Sequence, residues 1–146
     1  MSIKERVQEE MTKAMKARYT VRLECLRLAK AAILLKEKES SAELTDEMSA
    51  TALRAEVKKR QQSIEIFRQH GRENEALATE NEIRIIEEFL PKQLSAEEIE
   101  AKVRAHLAEH PEMNHPGKLT GALKKELGDL ADGKMLNDIC RKALGV

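Results

Sequence analysis

Apolar residues recur every three or four positions through most of the chain, which is the spacing of one face of an α-helix. In the amino-terminal part this pattern predicts four helices. The first begins at Ile3, and Thr20 is a candidate N-cap for the second, because a threonine hydroxyl accepts a hydrogen bond from the first turn. The pattern leaves open whether the helix is broken over 17–20. The third opens at Thr45 and stops at Gly71. The fourth is bounded by Pro91, since the residue before proline is pushed away from helical geometry.

Each of these helices carries apolar residues that are expected to face the core. The first has Ile3, Val7, Met11, Ala14 and Met15. The second has Val21, Leu28 and Leu35, and also Leu26 and Ile33. The third has Leu53, Val57, Ile64 and Phe67, and the fourth has Leu77, Ile83, Ile86 and Leu90.

A boundary is expected at Pro91–Leu94, giving an amino-terminal helical domain over 1–94 and a carboxy-terminal domain over 95–146. Ser95 and Glu98 stand in the arrangement of a capping box, which predicts the start of a fifth helix. Two short helices follow it. The predicted fold class is all-α, a bundle of about four helices plus a small three-helix domain whose core is too small to be strongly stable alone.

Composition narrows this prediction. Hydrophobic residues make up 41% and charged residues 36% of the chain, and clusters of β-branched and aromatic residues that would indicate strands are missing. The aromatic residues are Tyr19, Phe67 and Phe89, so the core is expected to be aliphatic.

No apolar run approaches the roughly 20 residues that span a membrane, and the charged amino terminus resembles neither a signal nor a transit peptide. These features indicate a cytoplasmic protein without a membrane partner.

Charge is balanced overall, with 26 cations and 26 anions, but it is uneven along the chain. The segment 13–30 has six cations against one anion, whereas 71–90 has six anions against two cations. The basic segment is either a phosphate-binding face or a helix lying against the acidic one inside the bundle, and the absence of stacking aromatics favours the second interpretation. Arg18 and Arg22 lie close to apolar positions and are expected to form partly buried ion pairs.

Candidate reactive residues carry no recognisable catalytic pattern. His106 and His110 are four apart, the spacing that lets two imidazoles share a metal, but a solvated helix end is the favoured interpretation and His115 lies in a loop. Cys25 and Cys140 are expected to be small buried hydrophobic residues without a neighbouring base. Glycine-rich phosphate-binding motifs are absent as well. The sequence therefore predicts no catalytic residue, metal, cofactor or small-molecule substrate.

Several stretches, in the right order over essentially the whole chain, resemble the YqeY family, also called GatB/YqeY domain proteins. They are MKAR at 15–18 with RL at 22–23 and LRL at 26–28, KKRQ at 58–61 with SIE at 63–65, GR at 71–72, EEFLPKQLS at 87–95, GK at 117–118, GA at 121–122 and ADG at 131–133. The LPKQLS run is the most specific of these. The resemblance implies an amino-terminal bundle and a tail similar to that of the GatB component of the tRNA-dependent amidotransferase, where the tail helps to engage tRNA while catalysis lies in other domains.

The resemblance also implies a family-level description as a carbon-nitrogen ligase with glutamine as amido donor, although the catalytic domain of such an enzyme is absent. At three positions before the ADG triplet that are typically basic in the family, this chain has Glu126, Gly128 and Leu130. The candidate nucleic-acid-binding residues are Lys118, Lys124, Lys125, Lys134, Arg141 and Lys142 in the tail, with Lys13, Lys16, Arg27 and Lys30 in the first part.

Three functions follow as hypotheses. The first is a non-catalytic module that binds tRNA or another RNA, or that associates with a tRNA amidotransferase. The second is an adaptor that docks a helical face on an amidotransferase or an aminoacyl-tRNA synthetase. The third is an amide-transferring enzyme in its own right, which the missing catalytic residues disfavour.

Overall fold

The computed structural model describes residues 1–146, apart from the side chain of Asp129. Its regular elements are seven α-helices and one short 3-10 helix, and the described residues contain no strand, so the all-α prediction is confirmed. The α-helices are α1 (Ile3–Ala17), α2 (Thr20–Glu39), α3 (Asp46–Gln69), α4 (Glu73–Glu87), α5 (Ala96–Glu109), α6 (Pro116–Leu127) and α7 (Gly133–Ala143), and the 3-10 helix is Gly128–Leu130.

The internal contacts divide the chain into two compact units, Met1–Pro91 and Lys92–Val146. The first unit contains α1 to α4 and the second contains α5 to α7. Each unit has its own cluster of buried aliphatic residues. None of the described helices combines the length and the apolar character that crossing a membrane requires.

Local hydrogen bonds set several helix ends where the sequence indicated them. The hydroxyl of Thr45 accepts a bond of 3.2 Å from the backbone N–H of Met48 at the start of α3. Ser95 and Glu98 form the predicted capping box at the start of α5. After α3, Gly71 adopts a φ of 69°, a left-handed conformation that glycine reaches without steric cost.

The corner between α1 and α2 differs from the prediction. Thr20 is the first residue of α2 rather than its N-cap, and Tyr19 takes the cap position without a side-chain capping bond. Arg18 ends α1 with a φ of 61°, and its backbone N–H donates to Met15 (3.2 Å), so the turn satisfies the last carbonyls of α1 without a threonine cap. Met15, predicted to face the core, and Tyr19 are both exposed at this corner.

The core of the first unit is aliphatic, as predicted. Helix α2 packs against α1, α3 and α4. In the described core of this unit, the largest side chains without exposed surface are those of Leu26, Ile33, Leu53 and Ile86.

The spacing indicated two apolar faces on α2, and the structure buries only one of them. Leu26 and Ile33 are buried as expected, together with the small residues Cys25 and Ala29. The prediction that Val21, Leu28 and Leu35 face the core is wrong, because these three side chains are exposed on the other side of α2. On α4, Leu77 is likewise 51% exposed, and Ala76 and Thr79 occupy the buried side beside it.

The core of the second unit is built around α7, which packs against both α5 and α6. The backbone N–H of Leu94 donates to the carbonyl of Leu130 (2.7 Å), which ties the segment before α5 to the 3-10 helix. The buried residues are Ile99, Val103, Leu119, Leu123, Leu127, Ala131, Leu136 and Cys140.

Candidate nucleic-acid interface

Helix α6 presents its lysines to solvent because its apolar residues are spaced for burial. Leu119 and Leu123 have no exposed surface, and they alternate with exposed positions in the manner of an amphipathic helix. Lys118 and Lys125 are seven residues apart, so two helical turns bring them to the same side of α6. Both of these lysines and Lys124 are exposed.

The start of α6 fixes the position of Lys118. His115 is the N-cap, and its Nδ1 accepts a hydrogen bond of 3.3 Å from the backbone N–H of Lys118. Pro116 follows at the first helical position, where its missing N–H is no loss. A β-carbon on Gly117 would lie 3.1 Å from the His115 ring, so the absence of a side chain there accommodates the cap.

The cations of α7 lie close to those of α6 at one point. Asp132 caps α7 by accepting a bond of 3.0 Å from the N–H of Met135. The Nζ of Lys124 lies 4.0 Å from the position that a β-carbon on Gly133, the first residue of α7, would occupy. Lys134 follows directly, so the carboxy-terminal end of α6 and the amino-terminal end of α7 both contribute cations to this region.

The cations of the tail are free to contact a ligand. The six candidate residues are all exposed, and none of them forms an ion pair with another described residue. The stretch 116–146 has six cations against four anions. One of the anions, Asp132, accepts the capping bond of α7, while Glu126 and Asp138 are exposed. The tail therefore carries exposed lysines and arginine in modest excess over carboxylates.

The four candidate cations of the first unit divide into two pairs. Lys13 forms an ion pair with Glu10 (3.1 Å), and the ammonium group of Lys30 donates to the side chain of Gln8. Lys16 and Arg27 are exposed and form no ion pair within the described residues. Only these last two are available to an external anion without breaking an internal bond.

Of the two arginines expected in ion pairs, Arg22 forms them and Arg18 does not. Arg22 bridges Glu10 of α1 (3.0 Å) and Glu88 after α4 (2.6 Å). The bond to Glu88 contributes most to raising the pKa of Arg22, and the Arg22 guanidinium holds the pKa of Glu10 below its usual range. The prediction for Arg18 is wrong, because the left-handed turn leaves this residue exposed and it has no ion pair among the described residues.

The acidic residues of α4 pair mainly with α3. Arg68 contacts Glu80 (2.5 Å) and Glu73 (3.3 Å). Arg60 lies 4.0 Å from Glu82. The acidic segment is thus held largely by the arginines of α3, and Arg22 is the residue of the basic segment that pairs with it in the described structure.

The ion pairs of Arg22 belong to a polar cavity of about 300 Å³ that no sequence pattern indicated. Arg6 also lies there, with its guanidinium 5.5 Å from the centre of the Phe89 ring and a hydrogen bond of 3.0 Å to the Glu88 carbonyl. Arg22 pairs with two of the glutamates that line the cavity. The evident role of these pairs is to tie α1 and α2 to the end of α4.

The three histidines of the second unit do not converge. The rings of His106 and His110 lie 4.5 Å apart, and His110 Nδ1 is 3.6 Å from a carboxylate oxygen of Glu112. His115 is instead the cap of α6. Over the part of the chain that the structure describes, no three His, Cys, Asp or Glu side chains are grouped to hold a metal.

The two cysteines are buried, as expected for small hydrophobic residues. Desolvation raises the pKa of Cys25 to about 11, and its thiol donates to the Glu82 carbonyl (3.6 Å). Burial also raises the pKa of Cys140. Since the thiolate is the nucleophile, neither residue is activated at neutral pH.

We therefore expect both thiols of the native protein to react slowly with a disulfide reagent such as DTNB. For Cys25 the raised pKa lowers the thiolate fraction at pH 8 by about a hundredfold relative to an ordinary thiol, and burial slows access further. Release of the thionitrobenzoate ion measures the reaction, and the protein in denaturant serves as the control in which both cysteines react rapidly. One equivalent reacting rapidly in the native protein would contradict the expectation.

Comparison with known proteins gives one match over nearly the whole chain. A protein-family model described as Yqey-like protein matches residues 4–144. The matched range includes all seven α-helices except the first residue of α1, and it covers both units apart from residues 1–3 and 145–146. No curated protein matches the chain significantly.

Proposed function

The chain belongs to the YqeY family, and on this premise we propose that it is a non-catalytic RNA-binding module whose contact surface lies on α6 and α7. The observation that carries the proposal is the set of six exposed tail cations, which lack ion-pair partners among the described residues. We propose transfer RNA as the ligand, from the resemblance to amidotransferase tails, and the cytoplasm as the location, from the charged amino terminus and the lack of a membrane-length apolar run.

The chemistry of this surface suits phosphate rather than bases. Lysine ammonium groups supply affinity through release of counterions, and such contacts carry no sequence information. The aliphatic composition of α6 and α7 offers no aromatic ring on which a base could stack. Selectivity would therefore come from the shape of a folded RNA and from the spacing of its phosphates.

The spacing of the lysines supports this proposal. Lys118 and Lys125 lie along one side of α6, and Lys124 joins Lys134 near the start of α7. This arrangement allows several phosphates to be contacted together. With Glu126 exposed on the same helix, the surface is only moderately basic, so binding should be weak, and its dependence on salt should be shallower than that of a strongly basic surface.

We expect the triple variant with Lys118→Ala, Lys124→Ala and Lys125→Ala to lose most of its affinity for tRNA. Each lost phosphate contact lowers the slope of log affinity against log salt by about one. Filter binding of bulk tRNA to the full chain at a series of salt concentrations measures both the affinity and the slope.

The matched control is Lys102→Ala, which removes an exposed lysine from α5 of the same unit. This variant should bind tRNA like the unaltered protein. The proposal fails if the unaltered chain binds tRNA no more tightly than it binds an unrelated acidic polymer. It also fails if the affinity for tRNA does not change with the salt concentration.

Docking on an amidotransferase or an aminoacyl-tRNA synthetase is a second candidate, favoured by the exposed apolar residues of α2. It predicts that such an enzyme co-purifies with the tagged chain after nuclease treatment. It also predicts that alanine at Lys124 and Lys125 changes the yield little. Loss of the enzyme on nuclease treatment would instead assign the association to RNA.

A further inference from the structure

Helix α2 has an exposed apolar face although it packs against three other helices. Val21 is 65%, Leu28 is 52% and Leu35 is 59% exposed. Leu34 is 41% exposed, and Ala31 between these leucines is exposed as well. Single exposed leucines are ordinary on a protein surface, but several along one helix form a continuous patch that favours a partner.

Two residues of opposite charge, Glu24 and Lys38, lie on this face at equal distances along the chain from Ala31. Glu24, Ala31 and Lys38 are seven residues apart, so they lie on one line along α2, with Leu28 and Leu35 close to it on one side. Glu24 and Lys38 are exposed, and neither forms an ion pair with another described residue. The line therefore has a free anion at one end, a small residue in the middle and a free cation at the other end.

This pattern is complementary to itself when two copies of α2 run antiparallel. If the two copies cross at Ala31, Glu24 of each copy lies opposite Lys38 of the other, because both residues are seven positions from the crossing point. A parallel arrangement would instead bring Glu24 against Glu24 and Lys38 against Lys38. Like charges facing each other are unfavourable, so the charge pattern selects the antiparallel arrangement.

The apolar residues fit the same arrangement. Leu28 and Leu35 lie on the same side of the line through Ala31, three residues before it and four residues after it, so Leu28 of one copy meets Leu35 of the other. Leu34 lies on the opposite side of that line. The small side chain of Ala31 allows two helices to approach to the roughly 8–10 Å at which packed helices lie. Such an interface would bury the exposed leucines of both chains. At each of its two ends, Glu24 of one copy would pair with Lys38 of the other.

We propose that the exposed face of α2, consisting of Val21, Glu24, Arg27, Leu28, Ala31, Leu34, Leu35 and Lys38, joins two copies of this chain in a twofold-symmetric dimer. A twofold interface uses the same surface patch on both subunits, which is what a self-complementary pattern provides. The proposal concerns the first unit only and does not depend on RNA binding by the tail. It assigns to a second copy of the chain the face of α2 that the enzyme-docking candidate would use.

The first test measures the average molecular mass of the full chain by sedimentation equilibrium at several protein concentrations. The unaltered protein should show a reversible monomer–dimer equilibrium. Leu28→Lys should shift it toward monomer by at least about tenfold in the dissociation constant, since it places a charge in the apolar contact. Leu77→Lys is the matched control, because Leu77 of α4 is 51% exposed and Leu28 is 52% exposed.

A charge exchange tests the antiparallel pairing. Glu24→Lys and Lys38→Glu should each weaken the dimer, since each places like charges opposite one another. The double variant with both changes should restore it, because the two charges again meet their opposites. Circular dichroism of each variant checks that the helices are intact, and additive weakening in the double variant would contradict the antiparallel pairing.

A cross-link tests the crossing point. Ala31→Cys should form a disulfide between two copies under mild oxidation, whereas Ala78→Cys, which places an exposed cysteine on α4, should not. The native cysteines are buried and do not compete. The proposal is overturned if the unaltered chain remains monomeric at all concentrations up to the solubility limit, or if the two cysteine variants cross-link at equal rates.

Discussion

Replacing Leu123 with alanine should leave the second unit largely unfolded at 37 °C. Leu123 has no exposed surface and lies in the cluster that joins α6 to its neighbours. Removing a buried leucine side chain costs about 2 to 5 kcal/mol, and a domain of this size holds only about 3 to 5 kcal/mol in its core. The substitution therefore removes most of the stability of a unit that spans Lys92–Val146.

Hydrogen exchange of the full chain measures this effect separately for each unit. We expect α5, α6 and α7 to exchange rapidly in the Leu123→Ala variant, while α1 to α4 keep their protection. Lys125→Ala is the control, because it alters an exposed residue two positions away on the same helix and should leave exchange unchanged. Rapid exchange over the whole chain would mean that the two units unfold together.

The comparison of these two variants also separates folding from the RNA binding that we propose for the tail. Lys125→Ala should weaken tRNA binding with the fold intact, whereas Leu123→Ala should weaken it by unfolding the surface that carries the lysines. Lowering the temperature or adding a stabilising osmolyte should recover binding only in the Leu123 variant.

The second large effect is expected at Leu53 in the first unit. Leu53 lies on α3 without exposed surface, inside a cluster that includes Leu26 and Ile86. Leu53→Ala should lower the free energy of unfolding by about 2 to 5 kcal/mol, because aliphatic neighbours leave a cavity that they fill only partly. Urea denaturation followed by circular dichroism measures the loss.

The control for Leu53 is an exposed leucine of the same bundle. Leu77→Ala should change the free energy of unfolding by less than about 0.5 kcal/mol, since surface substitutions rarely do more. Equal losses for the two variants would contradict the burial of Leu53 and the exposure of Leu77 in the fold. A change in the denaturant slope would indicate instead that the two units melt separately in the variant.

The helix ends that the sequence predicted correctly depend on partners close along the chain. Ser95 and Glu98 are three residues apart, as are Thr45 and Met48, so a short stretch contains both the donor and the acceptor. Ser2 and Glu5 form the same capping box at the start of α1, and inspection for this pattern would have found it. The prediction for Thr20 is wrong because the turn before it is closed by the backbone of Arg18.

The buried side of α2 was harder to predict. Leucine at 28 and 35 is more hydrophobic than cysteine at 25 and alanine at 29, yet the structure buries the small pair. Spacing shows that a helix has an apolar face, but the choice between two faces depends on how closely the neighbouring helices approach. That approach is decided by residues far away in the sequence.

Ion pairing was predictable only in part for the same reason. Arg18 and Arg22 look alike in sequence, but only Arg22 meets Glu88, which is 66 residues away. For the candidate site, the sequence indicated which helices carry the cations. The bond of Lys30 to Gln8 could not be predicted, because it depends on the packing of α2 against α1. The pair of Lys13 with Glu10 is local, since the two residues are three apart on α1, and their spacing could have indicated it.

The only tyrosine lies at the exposed corner between α1 and α2, and its position determines what intrinsic fluorescence measures in this protein. The chain has no tryptophan, and its one tyrosine, Tyr19, is 63% exposed at the start of α2. Intrinsic fluorescence therefore originates outside the hydrophobic core and changes little when the core loosens. The same ring lies two residues before Val21. Its emission and its accessibility to a collisional quencher thus respond to whatever covers the outer side of α2, without any dye.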